Sequence, residues 1–298
     1  MQLIAYGLVI NQFGQVLLTE QAETRAPALP GDAVAPGELP PEAAARAVRA
    51  ATGLIVLAVR LVELRYEAVE PNGRLALIFR CIQRGGEIAV AGGQPQAGFF
   101  AAQALPDALP EPQRAQIRRG FRHAGGPPHW ETQSPALGAR LAQGLRRLWR
   151  SEDAPAGADA PAAGGEADWQ AQATVLLHDA TGGVLWLPTD DGWRLPGELA
   201  EAMEPPWETA VRAARAQTSL TLKLTNLSSV ALAPAPPQVA FCFTAQATSG
   251  PAPAGARFFT PGAEPDGCLP IHVALVAGAA QPGAETVFSR RPSFTESA

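Results

Sequence analysis

Apolar residues alternate with polar ones, or run together in short blocks, at two corresponding places in the chain. IAYGLVI (4–10) and QVLLTEQ (15–21) flank NQFG, and ATVLLH (173–178) and VLWLP (184–188) flank DATGG. Alternating, β-branched-rich runs around a turn containing glycine predict two strand hairpins. A Pro/Gly loop follows each, LPGDAVAPGELPPE (29–42) and LPGELAEAMEPPWE (195–208). Each loop then runs into an alanine-rich segment of helical composition, AAARAVRAATGL (43–54) and TAVRAARAQTSL (209–220). Further on, ALIFRCIQ (76–83) and VAFCFTAQ (239–246) read as buried strands, and GFFAAQALPDALP (98–110) is echoed by RFFTPGAEPDGCLP (257–270).

The loop and helix segments align without a gap. Pro30 meets Pro196, Glu38 meets Glu204, Arg46 meets Arg212 and Leu54 meets Leu220, each 166 residues apart. The same order of landmarks twice over is the mark of an internal duplication. SEDAPAGADAPAAGGEAD (151–168) has no apolar period and cannot bury a core, so it separates the copies as a flexible linker. The expected organisation is a first domain over 1–150, a linker over 151–170, a second domain over 171–285 and a disordered tail over 286–298. RLAQGLRRLWR (140–150) reads as an amphipathic helix closing the first domain.

Composition narrows the partners. The chain has 298 residues, a formal net charge of -5 and Lys223 as its single lysine. Without a clustered basic face, nucleic acid is not an expected partner. No apolar run is long enough for a bilayer, and the first residues lack the basic start of a signal peptide, so the expectation is a cytoplasmic protein without a membrane partner. Cys81, Cys242 and Cys268 form neither CxxC pairs nor metal spacing and read as free thiols. His123, His129, His178 and His272 do not cluster in the sequence. Trp130, Trp186, Trp193 and Trp207 are candidates either for packing or for stacking a base, and Trp130 is retained as a candidate ligand contact.

A hairpin, an LPG loop, a helix ending in TGL, then FF and LP before a last helix together resemble the Nudix hydrolase family. The likeness covers nearly all of both halves. It implies an α/β fold of two α/β/α sandwich domains with mixed sheets, and a signature GX5EX7REUXEEXGU whose helical glutamates hold Mg²⁺ or Mn²⁺ on a diphosphate. Such chemistry needs cations to neutralise the phosphates, and carboxylates are the hard ligands that hold them. Three carboxylates at i, i+3 and i+4 share one helix face.

Both copies depart from that signature. The three helical glutamates correspond to Ala47, Ala50 and Ala51 in the first half and to Ala213, Ala216 and Gln217 in the second. The first glycine is Asp32 or Glu198, and the last glycine of the second copy is Ser219. Glu38, Glu204, Arg46 and Arg212 match. No acid precedes either FF pair. Glu42 and Glu208 lie four residues before the arginines, which predicts an i, i+4 helix-surface pair that leaves the arginines without a carboxylate of the signature to orient.

The expectation is a tandem protein without hydrolase activity, binding a nucleotide-like or diphosphate-like ligand or a protein partner, with no cofactor. Arg46, Arg212 and Trp130 are its candidate ligand contacts. One alternative is a hydrolase of nucleoside diphosphate-X compounds with Mg or Mn held by Asp32, Glu38, Glu198 or Glu204, and with Glu38, Glu42, Glu204 or Glu208 catalytic. Another is an interaction scaffold. Duplication also suggests that the halves pack as an intrachain pseudo-dimer.

Overall fold

The computed structural model describes residues 1–21, 25–69, 72–88, 97–133, 167–190, 192–250, 253–279 and 285–291. The expected helix at 140–150 and most of the expected linker lie outside them.

The chain forms a mixed α/β structure with two sheet bodies. In the first half, strands β1 (Gln2–Val9), β2 (Gln15–Glu20), β3 (Pro27–Ala28) and β4 (Gly31–Ala33) precede helix α1 (Pro40–Thr52). Strands β5 (Ile55–Glu67), β6 (Arg74–Gly85) and β7 (Ala97–Ala101), helix α2 (Glu111–Arg122) and strand β8 (His129–Gln133) follow. The second half runs through β9 (Gln170–His178), β10 (Val184–Thr189), β11 (Gly192–Arg194), β12 (Gly197–Leu199), helix α3 (Pro206–Thr218), β13 (Thr221–Pro234), β14 (Pro237–Ser249), β15 (Arg257–Phe259), helix α4 (Pro270–Ala279) and β16 (Val287–Arg290).

The first sheet has the order β4-β1-β6-β5-β8, and the second contains β12 on β9 followed by β14, β13 and β16. In both, the pairings along that path are antiparallel, parallel, antiparallel, parallel. Even the irregularities correspond. Register shifts fall at Ile55/Val56, Ala58/Arg60 and Leu61/Glu63 in β5, and at Thr221/Leu222, Leu224/Asn226 and Leu227/Ser229 in β13.

Both expected hairpins are corrected to a single pair beside the turn. β1 and β2 share only the bridge Ile10–Val16 before β2 pairs with β3 and β7 in a separate sheet, and β9 and β10 share only His178–Val184 before β10 pairs with β11 and β15. β1 is a central strand, parallel to β6, alternating between half-buried and buried residues from Gln2 to Tyr6 and buried throughout from Gly7 to Val9. The expected tail began too early. Val287–Arg290 is a strand parallel to β13, with the Thr286 hydroxyl donating to the Leu227 carbonyl. The linker's expected end is also anchored: the Trp169 amide donates to the Met1 carbonyl, Trp169 is buried, and Asp168 pairs with the terminal ammonium at 2.8 Å.

One buried cluster runs through both halves, from Leu3, Leu64 and Phe79 to Trp207, Leu232 and Phe243. The opposite sheet faces are covered separately. Ile117 of α2 packs with Leu8, Leu18 and Ile78, and Leu275 and Val276 of α4 pack with Leu176, Trp186 and Cys242. Glu63 is fully buried, and the Arg119 fork holds both of its oxygens at 2.8 Å, tying α2 to the sheet.

Contacts across the halves come in corresponding pairs. Trp130 of β8 meets Phe243 with ring centroids 5.9 Å apart, and Phe288 of β16 meets Phe79 at 5.4 Å. Thr132 of β8 donates to Glu208 of α3, and Arg290 of β16 donates to Glu42 of α1. Among the described residues no helix is long and apolar enough to cross a membrane.

Candidate functional site

Each signature loop is drawn against its helix by one arginine. α1 starts with Pro40 and Pro41, which suit a helical first turn, and stops at Gly53 in the left-handed region. Its buried stripe of Ala43, Ala44, Ala47 and Val48 faces the sheet, so Arg46 points away from the core toward the loop. Arg46 Nε donates to Glu38 Oε1 at 2.8 Å, Nη2 donates to Glu38 Oε2 at 2.9 Å and to the Ala33 carbonyl at 2.8 Å, and Nη1 donates to Asp32 Oδ2 at 2.5 Å.

The second half repeats this arrangement. Arg212 Nε and Nη2 hold Glu204 at 2.8 and 2.9 Å, Nη1 holds Glu198 at 2.6 Å, and Nη2 reaches the Leu199 carbonyl at 3.3 Å. The Arg212 hydrogen bonds, aided by those from the Glu201 amide and Thr209, bring the Glu204 carboxyl down to about 2, against the pull of burial. Both guanidinium groups are pushed upward, first by the hydrogen bonds to Glu38 and Glu204.

These bonds correct the expected i, i+4 pairs. Glu42, in the first turn of the helix, turns back to accept the amide of Leu39 at the N-cap at 2.9 Å, a donor that lies outside the helix's own ladder. The arginine is therefore free to take the loop acids in a fork geometry. Asp32 and Glu198 now have a role. They sit on short strands paired to β1 and β9, and neither takes the left-handed backbone that would demand glycine.

The helical positions of the signature are neutral and partly enclosed. Ala47 and Ala213 are buried against the sheets, whereas Ala50 and Ala216 are exposed. Gln217 is bonded in a closed pair with Gly197, accepting from its amide at 3.1 Å and donating to its carbonyl at 3.0 Å, and it also donates to Glu198. Among the described residues no three His, Cys, Asp or Glu side chains converge as a cation site. The donor set does not fit Mg²⁺ or Mn²⁺: five of the six positions are alanine, and the acids that remain in the loops are already matched to guanidinium groups.

A cleft of about 1060 Å³ flanks α3. Trp207, Glu208, Val211, Arg212, Arg215 and Ala216 line one wall, Lys223 and Leu224 of β13 another, and Trp130 reaches in from the first half. A smaller one of about 540 Å³ flanks α1, lined by Ala45, Arg46, Arg49, Ala50, Ile55 and Val56. Of the residues singled out in the sequence, the structure brings together Trp130, Trp207, Glu204, Glu208, Arg212 and Ala216 in the larger cleft. Arg215 was not singled out, and Lys223 was noted only as the one lysine. Their spacing on a helix and the strand after it offers no chemical signature. Trp186 is buried with α4, and Trp193 packs on Phe259. His272 is also inside, held neutral to about 4 by burial and by Arg194, with its Nδ1 accepting the Leu195 amide.

No curated protein matches the chain in sequence. Among solved structures, it is similar to an ADP-ribose pyrophosphatase from Streptococcus suis 89-1591, with 21% identity, 45% of this chain and 98% of that one covered, and a TM-score of 0.35. It is also similar to a MutT protein from Methanosarcina mazei Go1, with 20% identity, 41% and 93% covered, and a TM-score of 0.36. The family model described as NUDIX domain matches residues 1–121, the stretch from the first strand through the Arg46 clamp and nearly all of α2.

Proposed function

We propose that the chain is a tandem Nudix-fold protein that does not hydrolyse diphosphates and instead binds a nucleotide-like or diphosphate-like ligand. One observation carries this reading. The loop carboxylates that the signature retains, Glu38 and Glu204, are each gripped by two guanidinium nitrogens, while the helical positions that would hold cations are Ala47, Ala50, Ala51, Ala213, Ala216 and Gln217. Attack at phosphorus requires its negative charge to be offset by cations placed with care. Here the same arginine that could meet a phosphate serves to shape the loop. The corresponding strand orders, matched register shifts and paired contacts across the halves support a duplication whose copies pack as a pseudo-dimer within one chain.

The test is incubation of purified protein with dinucleotides, nucleotide sugars and nucleoside diphosphates in Mg²⁺ or Mn²⁺. The expected result is no turnover, with a ligand-dependent rise in melting temperature for at least one compound. Turnover that Glu38→Gln or Glu204→Gln abolishes would overturn the proposal.

A further inference from the structure

At one equivalent place on their sheets the two halves present opposite chemistry. Ile55 and Leu57 of β5 are exposed on either side of the buried Val56, and Leu57 is paired in register with Ile82 of β6, which shares its face. Two turns of the pleat further along β6, Ile78 on this same face is covered by Ile117 of α2, whereas Ile82 is left half-buried. Ile82 also lines a cleft of about 580 Å³ at the NQFG turn, together with Ile10, Phe13, Arg84 and Phe99. Phe13 is 76% exposed.

The registers identify the second-half counterparts as Thr221 for Ile55, Lys223 for Leu57 and Gln246 for Ile82. The turn is repeated as well. Asn11 Oδ1 accepts the Phe13 and Gln15 amides at 3.0 and 2.9 Å, and Asp179 Oδ1 accepts the Thr181 and Gly183 amides at 2.8 Å, so Thr181 stands for Phe13. Four apolar side chains in one copy are four polar ones in the other. Single exposed apolar residues need no explanation, but a set gathered on one copy of a duplicated face marks something that touches that copy alone.

The same face carries charge that the chain leaves unmatched. Arg80, two residues before Ile82, is paired in register with Arg60, and like charges directly opposite one another are destabilising. Glu285 takes Arg60 at 2.7 Å, but neither Arg80 nor Arg84 forms an ion pair with a described residue. Burial and the Arg60 guanidinium both push Arg80 down from its ordinary value. Asn226 and Thr244 hold the corresponding positions in the second half, without that repulsion.

These features choose the occupant. A second copy docked through this face about a twofold axis would set Arg80 and Arg84 against their own copies. A membrane is a plane, whereas Ile82 lines a recess, and a net charge of -5 sets the chain as a whole against an anionic bilayer. A narrow acidic segment meets both chemistries, with carboxylates on the guanidinium groups and an apolar side chain over Ile82.

We propose that Phe13, Ile55, Leu57 and Ile82, with Arg80 and Arg84, form a docking surface, confined to the first half, for an acidic segment of a partner protein that carries an apolar anchor. The arginines give the segment its orientation, and the apolar side chains hold its anchor.

The experiment is selection of a displayed library of random peptides, about twelve residues long, on the full chain, followed by fluorescence anisotropy of the enriched peptide. The enriched peptides are expected to carry acids on both sides of a leucine, phenylalanine or tryptophan, and to bind one per chain with an affinity that falls as salt is added. Leu57→Lys, Ile82→Gln and Arg80→Thr each install the residue that the second half carries at the matching position. Each weakens the peptide at least tenfold, while Arg80→Thr leaves the melting temperature unchanged or raises it. Lys223→Leu, the reverse exchange in the second half, leaves the affinity within twofold. No enriched peptide, enriched peptides without acids, or binding that survives all three first-half variants overturns the proposal. Binding to vesicles of phosphatidylcholine and phosphatidylserine that the same variants abolish overturns it in favour of a membrane. A dimer in sedimentation that Leu57→Lys converts to a monomer overturns it in favour of a second copy. The nucleotide panel reports on other residues, so none of these outcomes bears on the ligand-binding reading.

Discussion

Replacing Glu204 by glutamine preserves the shape of the second clamp and removes its charge. The Glu204 side chain is 14% exposed and accepts from Arg212 at 2.8 and 2.9 Å, from the Thr209 hydroxyl at 2.8 Å and from the Glu201 amide at 3.0 Å. Its carboxyl sits at about 2 in place of the ordinary 4.5, chiefly because of Arg212. At ~1.4 kcal/mol per pH unit, that difference corresponds to about 3 kcal/mol. Arg212 is a third exposed, however, and solvent screening of its side reduces the net contribution to roughly 1–2 kcal/mol. A carboxyl lowered by folding stabilises the protein fully above its unfolded value, and the gain is lost as pH falls from 4.5 toward 2. Urea unfolding of wild type and Glu204→Gln at a series of pH values isolates this term. The variant should be weaker by about 1–2 kcal/mol at pH 7, and the gap should close between pH 4.5 and 2. Equal stabilities at pH 7, or a gap that does not change with pH, would refute the clamp as an energetic feature.

His272 titrates in a separate window. With its value lowered to about 4, its neutral form belongs to the folded state, so the associated stability is present above 6.5 and declines as pH falls from 6.5 to about 4; His272→Gln should lack that decline in urea midpoints measured at pH 7 and 4.5. Ser219 ends α3 at φ 56°, a conformation that costs a residue with a Cβ on the order of 1 kcal/mol. Ser219→Gly is therefore expected to raise the melting temperature by about 2–4 °C, whereas Gly53→Ser, at the matching end of α1, should lower it by a similar amount.

Much of the fold was legible because its determinants are local. The apolar runs, the Pro-Pro helix starts and the Thr-Gly exit each specify their own segment, and the spacing of 166 placed the second set on the first. The β1–β2 hairpin was misjudged because a turn signal in NQFG reports a change of direction, while sheet membership is decided by distant strands: β6 takes one edge of β1 along eight paired residues, β4 takes Ile4, Ala5 and Tyr6 on the other, and β2 pairs with β3 and β7. The arginine clamps were misread for a related reason. Spacing along a helix makes Glu42 look like the partner of Arg46, but it says nothing of where the preceding loop returns, and the loop brings Glu38 and Asp32 within reach. The composite cleft was least legible of all. Trp130 and Lys223 lie far apart in the chain, and only the packing of the halves brings them to one space.

The strand at Val287–Arg290 ties the order of synthesis to the order of folding. Phe79 and the start of α1 belong to the first half, yet their neighbours include Phe288 and Arg290. As the chain emerges from a ribosome, β1, β6 and α1 can assemble early, but that surface stays uncovered until nearly all of the second half has followed. The first half thus waits with apolar area exposed, the situation in which nascent chains are most open to chaperones and to misassociation. Its native surface is completed only after the second half has been made, by residues that belong to the other sheet.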